Sequence, residues 1–220
     1  MENITNPKIT DFLNEHFSPV NKVLIEFRKE CEREYIPIIQ RDTEELLRFL
    51  ISLQKPAKIL EVGTCLGYSA SVMALTCSRS KTTTIERNVE LVEEAQYNLD
   101  RLGVLKRVKV LLGDAQVILK KLMNSGEIFD FAFVDGGKSH YIEFCESVIE
   151  MMSEGGIILC NNILQRGMTV DECYDPKGKH KKAKKKMNEF IEWIEEDERV
   201  ETIILPVGDG VLLAKVGNKV

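Results

Sequence analysis

The sequence predicts an α/β fold: a seven-stranded, mostly parallel sheet with helices on both faces, closed by an antiparallel strand from a carboxy-terminal hairpin. Three observations predict it. Short apolar runs alternate with helix-length segments through the middle of the chain, the pattern of a parallel sheet buried on both faces. The first run ends in a glycine turn, Glu61-Val-Gly-Thr-Cys-Leu-Gly67. The last two runs are separated only by Gly208-Asp209-Gly210, residues that tolerate the positive φ of a tight turn.

In chain order, residues 8–53 read as helical, with Phe12, Val23, Phe27, Leu46, Leu47 and Leu50 at three- and four-residue spacings and a break near Pro37. Strands follow at Lys58–Val62, Thr82–Ile85, Val108–Leu112, Phe129–Val134 and Gly156–Cys160. Helical segments lie between them, near 68–78, 88–102, 114–123 and 139–152. Glu201–Val207 and Val211–Val216 form the hairpin. This divides the chain into a helical extension, 1–35, and an α/β domain, 36–220.

With 220 residues, of which 44% are apolar, the chain can bury one sizeable core. The formal net charge of −5 disfavours a surface built throughout to hold nucleic acid, although a local basic patch remains compatible with it. Six scattered cysteines form no C-x-x-C pair and no zinc-finger spacing, which fits free thiols in a reducing cytosol. The amino terminus lacks an apolar signal region, and no apolar run approaches the roughly 20 residues of a bilayer span. A soluble, cytoplasmic protein is expected.

In an open α/β sheet, ligands bind beyond the carboxyl ends of the strands. The turn at Gly63 and Gly67 sits there. It lacks G-x-G-x-x-G, which disfavours a dinucleotide and hence an NAD-dependent dehydrogenase, and lacks G-K-S/T, which removes a P-loop. Its form suits a cofactor without pyrophosphate. Glu86, closing the second strand, is placed to accept hydrogen bonds from ribose hydroxyls, and Asp114, after the third, to accept one from an adenine amino group. The fourth and fifth strands end in Asp135-Gly-Gly-Lys138-Ser-His140-Tyr141 and Cys160-Asn161-Asn162. One carboxylate, two amide oxygens and one amine thus meet at neighbouring strand ends, an oxygen-rich set of the kind that suits Mg²⁺.

These pieces resemble the metal-dependent O-methyltransferase family that includes catechol and caffeoyl-CoA O-methyltransferases, with a Rossmann-like class I methyltransferase fold. The matching stretches are Glu61 to Ser69, Glu86, Gly113-Asp114-Ala115, Asp135 with Lys138, Asn161-Asn162, and Pro206-Val-Gly-Asp-Gly210. Ile36-Pro-Ile-Ile-Gln40 and Asn161-Asn-Ile-Leu-Gln-Arg-Gly167 look closest to the bacterial branch that methylates 5-hydroxyuridine in tRNA.

The resemblance implies that Ile39, Glu61, Gly63, Ser69, Glu86, Asp114, Ala115 and Asp135 bind S-adenosylmethionine. It implies that Asp135, Asn161 and Asn162 hold Mg²⁺, that Lys138 with Asp135 forms the catalytic pair, Lys138 as general base, and that the protein is a homodimer. His140 is a rival base, though a histidine at a helix start is more often structural. One departure stands out: the family usually carries Asp where this chain has Asn161, so weaker Mg²⁺ binding follows.

A 5-hydroxyuracil ring presents two adjacent oxygens much as a catechol does, so chelation does not choose between them. Seven lysines within 177–186 favour tRNA as partner. The alternatives are a small catechol or phenol, and a noncatalytic RNA-binding module that has lost its metal.

Overall fold

A computed structural model describes residues 4–217. Three helices, α1 (Pro7–His16), α2 (Lys22–Arg33) and α3 (Arg41–Gln54), precede the first strand. Then follow β1 (Lys58–Val62), α4 (Tyr68–Thr76), β2 (Lys81–Glu86), α5 (Val89–Arg101), β3 (Val108–Leu112), α6 (Ala115–Asn124), β4 (Phe129–Val134), α7 (Tyr141–Glu150), β5 (Met152–Asn161), α8 (Lys181–Glu196), β6 (Val200–Leu205) and β7 (Val211–Val216).

The seven strands form one sheet in the order β3-β2-β1-β4-β5-β7-β6. All pairings from β3 to β5 are parallel, and β7 runs antiparallel to both β5 and β6. The predicted fold is the observed one. Strand order reverses at the β1/β4 junction, so a crevice opens there beyond Val62 and Val134.

The sheet separates two apolar clusters. On one face Ile59, Phe131, Phe133 and Leu159 pack with α2, α3, α4 and α5; on the other Leu60, Ala132, Val134 and Ile158 pack with α6, α7 and α8. Alternate residues of each strand point to opposite faces, so a fully buried strand serves both clusters at once. Helix α4 is buried from Tyr68 through Ala74, because α2 and α3 cover its outer side. Leu24, Phe27 and Cys31 of α2 therefore belong to the main core.

Two strand boundaries differ from the sequence expectation by more than one residue. β5 starts at Met152, four residues before Gly156, because its pairing with β4 is interrupted between Phe129 and Phe131 and the bulge absorbs Ser153 to Gly156. Those polar and glycine residues hide the start of the strand. β6 ends at Leu205, since Pro206 has no N–H to give to the ladder, and the connection spans residues 206–210 rather than the three predicted. That loop ties distant parts together: Gly208 N–H donates to Asp42 Oδ2 at 2.8 Å, and the N–H groups of Ile163 and Leu164 donate to the carbonyls of Gly210 and Asp209.

Candidate active site

The glycine turn shapes the crevice. Gly63 has φ +101°, and a Cβ built there would lie 2.5 Å from the carbonyl oxygen of Asp135. Strands β1 and β4 can approach this closely only with hydrogen at that position. Replacing Gly63 by Ala is expected to push Asp135 away from β1 and abolish binding of S-adenosylhomocysteine while the far end of the sheet stays folded. Calorimetric titration beside circular dichroism checks both, and wild-type affinity would refute the close-packing argument.

A cavity of about 410 Å³ fills this crevice, walled by the β1 turn, by the ends of β2 and β4, and by Pro37 to Ile39 of the α2–α3 connection. Of the cofactor-site residues expected from the sequence, Ile39, Gly63, Ser69, Glu86, Asp114, Ala115 and Asp135 all line it. Glu86 receives the Cys65 N–H on Oε2 at 3.0 Å and the Arg87 and Asn88 N–H groups on Oε1. Its carboxylate is thereby fixed at the rim. Asp114 caps α6 through Oδ1, which accepts from Gln116 and Val117 N–H.

Glu61 is placed differently. It is fully buried beneath the floor, where Ser69 Oγ donates to Oε1 and Thr84 Oγ1 to Oε2, each at 2.5 Å. It supports the wall rather than facing the cavity. Burial pushes its carboxyl up to about 8; the hydrogen bonds from Ser69 and Thr84 pull the other way, and the charges of Asp135 and Glu86 add to the rise. A carboxyl raised this far stays protonated in the fold after the unfolded chain has ionised. Its contribution to stability is complete below about 4.5 and is lost as pH climbs toward about 8. Glu61→Gln is expected to flatten the fall of melting temperature across that window; an unchanged slope would exclude Glu61 as its source.

Lys138 also lines the cavity, from a short turn that begins α7. Its Nζ donates to Asp135 Oδ1 at 2.9 Å, Tyr141 OH at 2.7 Å and the Asn161 carbonyl at 3.1 Å. Burial holds the Tyr141 hydroxyl well above the usual phenol range, so it remains a neutral donor, 2.8 Å from the same Asn161 carbonyl. His140 faces the cavity too, with Nδ1 3.3 Å from Gln116 Nε2 and its ring against Phe144.

The three residues expected to hold Mg²⁺ are not equivalent. Asn162 lines the cavity in a left-handed conformation, φ 56°. Asn161 is 2% exposed and turns its amide nitrogen, not its oxygen, to Asp135 Oδ2 at 3.0 Å. The Asn161 Oδ1 is buried with no partner. Asp135, the one carboxylate of the set, thus has each oxygen occupied by a hydrogen-bond donor. Reversing the Asn161 amide would set two oxygens against each other. These residues do not fit a tightly held divalent cation, which needs converging, unshared oxygen ligands and gains most from carboxylates. Among the described residues no group of three or more His, Cys, Asp or Glu side chains is placed to hold a metal ion.

Comparison with known proteins gives the decisive match: a family model described as O-methyltransferase aligns with residues 14–216. The chain belongs to the O-methyltransferase family. By that membership it is an S-adenosylmethionine-dependent O-methyltransferase. It is 31% identical over 178 residues to caffeoyl-CoA O-methyltransferase of Stellaria longipes, covering 78% of this chain and 73% of the relative. Caffeoyl-CoA O-methyltransferase 1 of Eucalyptus globulus is 30% identical over 178 residues, with 79% and 72% covered.

The fold matches the O-methyltransferase from Bacillus cereus solved with SAH (TM-score 0.83, 23% identity, 96% of this chain and 97% of that one). It also matches TomG from Streptomyces achromogenes solved with SAM (TM-score 0.82, 23% identity, 99% and 100% covered). Among the described residues no helix is long and apolar enough to cross a membrane.

The sequence did not point to Arg28, Glu44 and Tyr68. Arg28 donates to Glu44 Oε2 at 2.7 Å, to Tyr68 OH at 2.9 Å and to the Ile39 carbonyl at 2.9 Å, and Tyr68 OH donates to Glu44 Oε2 at 2.6 Å. This buried network fixes the wall containing Ile39. An Arg within the apolar stripe of α2, four residues before Glu32, reads as a surface ion pair from sequence alone.

Proposed function

We propose that the protein transfers the methyl group of S-adenosylmethionine to a hydroxyl of a small phenolic substrate. The observation that carries this is the juxtaposition in one cavity of the glycine turn, Glu86 and Asp114 with the Lys138–Asp135 pair. The first group suits the amino-acid, ribose and adenine parts of the cofactor; the second suits the acceptor hydroxyl that takes the methyl group. The names of the Stellaria and Eucalyptus relatives, which describe a phenolic acyl-CoA as acceptor, support the substrate class.

The chemistry asks little covalently of the protein. The substrate hydroxyl loses its proton to solvent, the resulting oxyanion attacks the methyl carbon, and the carbon–sulfur bond breaks with its electron pair going to sulfur. What the site supplies is alignment and charge. Lys138 Nζ is held between three acceptors, Asp135 Oδ1, Tyr141 OH and the Asn161 carbonyl. Its role is then to stabilise the oxyanion rather than to act as the general base.

The basic start of α8 favours a second reading, 5-hydroxyuridine in tRNA as acceptor. Lys181, Lys182, Lys184 and Lys185 occupy its first turns with no acid in the first turn, adding side-chain charge to the positive helix end. The two separate by assay: methyl transfer from labelled S-adenosylmethionine to catechol or caffeoyl-CoA, and to tRNA containing 5-hydroxyuridine. Transfer to tRNA alone would overturn the small-molecule assignment; no transfer to either would overturn both.

A further inference from the structure

We propose that Lys138 takes the place of a resident divalent cation, so that methyl transfer here is independent of added metal and needs only one acidic hydroxyl on the acceptor. This rests on the methyltransferase reading above.

Three features of the Asp135 cluster carry it. First, charge: Asp135 is the only carboxylate among Asp135, Asn161 and Asn162, and the Lys138 ammonium 2.9 Å away already neutralises it. A divalent cation placed there would meet one negative and one positive group, leaving its charge uncompensated in a partly buried site. Second, donor polarity: the Asn161 Nδ2 faces Asp135 Oδ2 at 3.0 Å, so the strand end opposite Asp135 presents a hydrogen-bond donor where a metal needs an acceptor. Third, saturation: the ammonium is held by Asp135 Oδ1, Tyr141 OH and the Asn161 main-chain carbonyl, acceptors from the ends of both β4 and β5 and from the start of α7. Three acceptors make a fixed seat for one positive charge.

The consequence reaches specificity. A chelated Mg²⁺ binds two neighbouring oxygens and lowers the pKa of a hydroxyl by its own charge. An ammonium can offer a single charge and, by exchanging its contact with the Tyr141 hydroxyl, which keeps the Val134 and Asn161 carbonyls as partners, one hydrogen bond to one oxygen, which makes the second oxygen dispensable. The fitting acceptor is a phenol acidic enough to ionise near neutral pH without a Lewis acid.

The test uses the whole protein freed of metal by chelator. Mn²⁺, followed by its electron paramagnetic resonance signal, is titrated into the wild type and into Asn161→Asp, each with S-adenosylhomocysteine bound. The expected result is no stoichiometric binding by the wild type at micromolar Mn²⁺ and binding at least about tenfold tighter in Asn161→Asp, which restores the second carboxylate. Wild-type turnover of 4-nitrophenol should be unchanged by chelator. Stoichiometric Mn²⁺ binding by the wild type, or loss of its turnover on chelation restored by Mg²⁺, would overturn the proposal.

Calorimetric binding of S-adenosylhomocysteine in the same metal-free buffer separates this from the parent reading. Binding without metal retains the methyltransferase site whatever Mn²⁺ does, and absence of binding with or without metal overturns that reading itself.

Discussion

Replacing Lys138 by Met is expected to lower turnover by about 10²- to 10³-fold, the scale on which a single preorganised donor stabilises developing charge in a water-poor site. Affinity for S-adenosylhomocysteine should hardly change, because none of the hydrogen-bond partners of the Lys138 amine belongs to the β1 turn or is Glu86. Met keeps the length and the packing of the stem, so the loss would report the charge. Steady-state kinetics with calorimetry separates these effects, and normal turnover would remove Lys138 from the reaction. The pH profile adds a check: an ammonium stabilising an oxyanion leaves a variant whose residual rate climbs with pH as the acceptor ionises unaided.

Glu44→Ala is expected to cost about 3 to 5 kcal/mol of stability, the range for removing one partner of a buried ion pair and stranding the other. The Arg28 and Glu44 side chains are 6% and 0% exposed, so Arg28 would be left with only its longer, 3.4 Å ion pairing to Glu32 at the rim. For a chain of this size each kcal/mol corresponds to roughly 2–4 °C in Tm. The same change releases the Ile39 carbonyl and loosens one wall of the cavity, so weaker cofactor binding should accompany the lower Tm. Glu44→Gln, which keeps an acceptor for Tyr68, should be milder. A small shift in Tm for Glu44→Ala would show that the network contributes geometry without stability.

Much of the architecture is readable from local pattern. Lys58–Val62, Val108–Leu112, Phe129–Val134 and Val211–Val216 are predominantly apolar runs whose limits coincide with the observed strands, because burial on both faces favours apolar residues at consecutive positions. Where pattern and burial part company the sequence is silent. The first third of β5 is polar and glycine-rich because a bulge, not a regular ladder, holds it.

The cofactor end follows the same logic: Gly63, Ser69, Glu86 and Asp114 are tied to strand ends, and strand ends converge by topology. Side-chain direction is not carried by topology. Nothing in E-x-G-x-x-x-G says that Glu61 turns under the floor, and nothing in Asn161-Asn162 says that the first amide points its nitrogen at Asp135. Long-range partners such as Arg28 with Tyr68 depend on how α2 lies over α4, which local spacing does not encode.

The loop at residues 206–210 has a consequence for how the protein is made. Asp42 holds Gly208 across 166 positions of sequence, and a side chain at Gly208 would overlap Thr43 at the start of α3. The segment that walls the cavity at Pro37 to Ile39 leads directly into that helix. During synthesis, which proceeds from the amino end, the cavity-lining stretch emerges well before its brace. A nascent chain halted before Pro206 would carry the β1 turn, Glu86 and Asp135 and still lack the clasp that sets α3 against them. The clasp of α3 against the cavity wall thus waits on the emergence of residues 206–210.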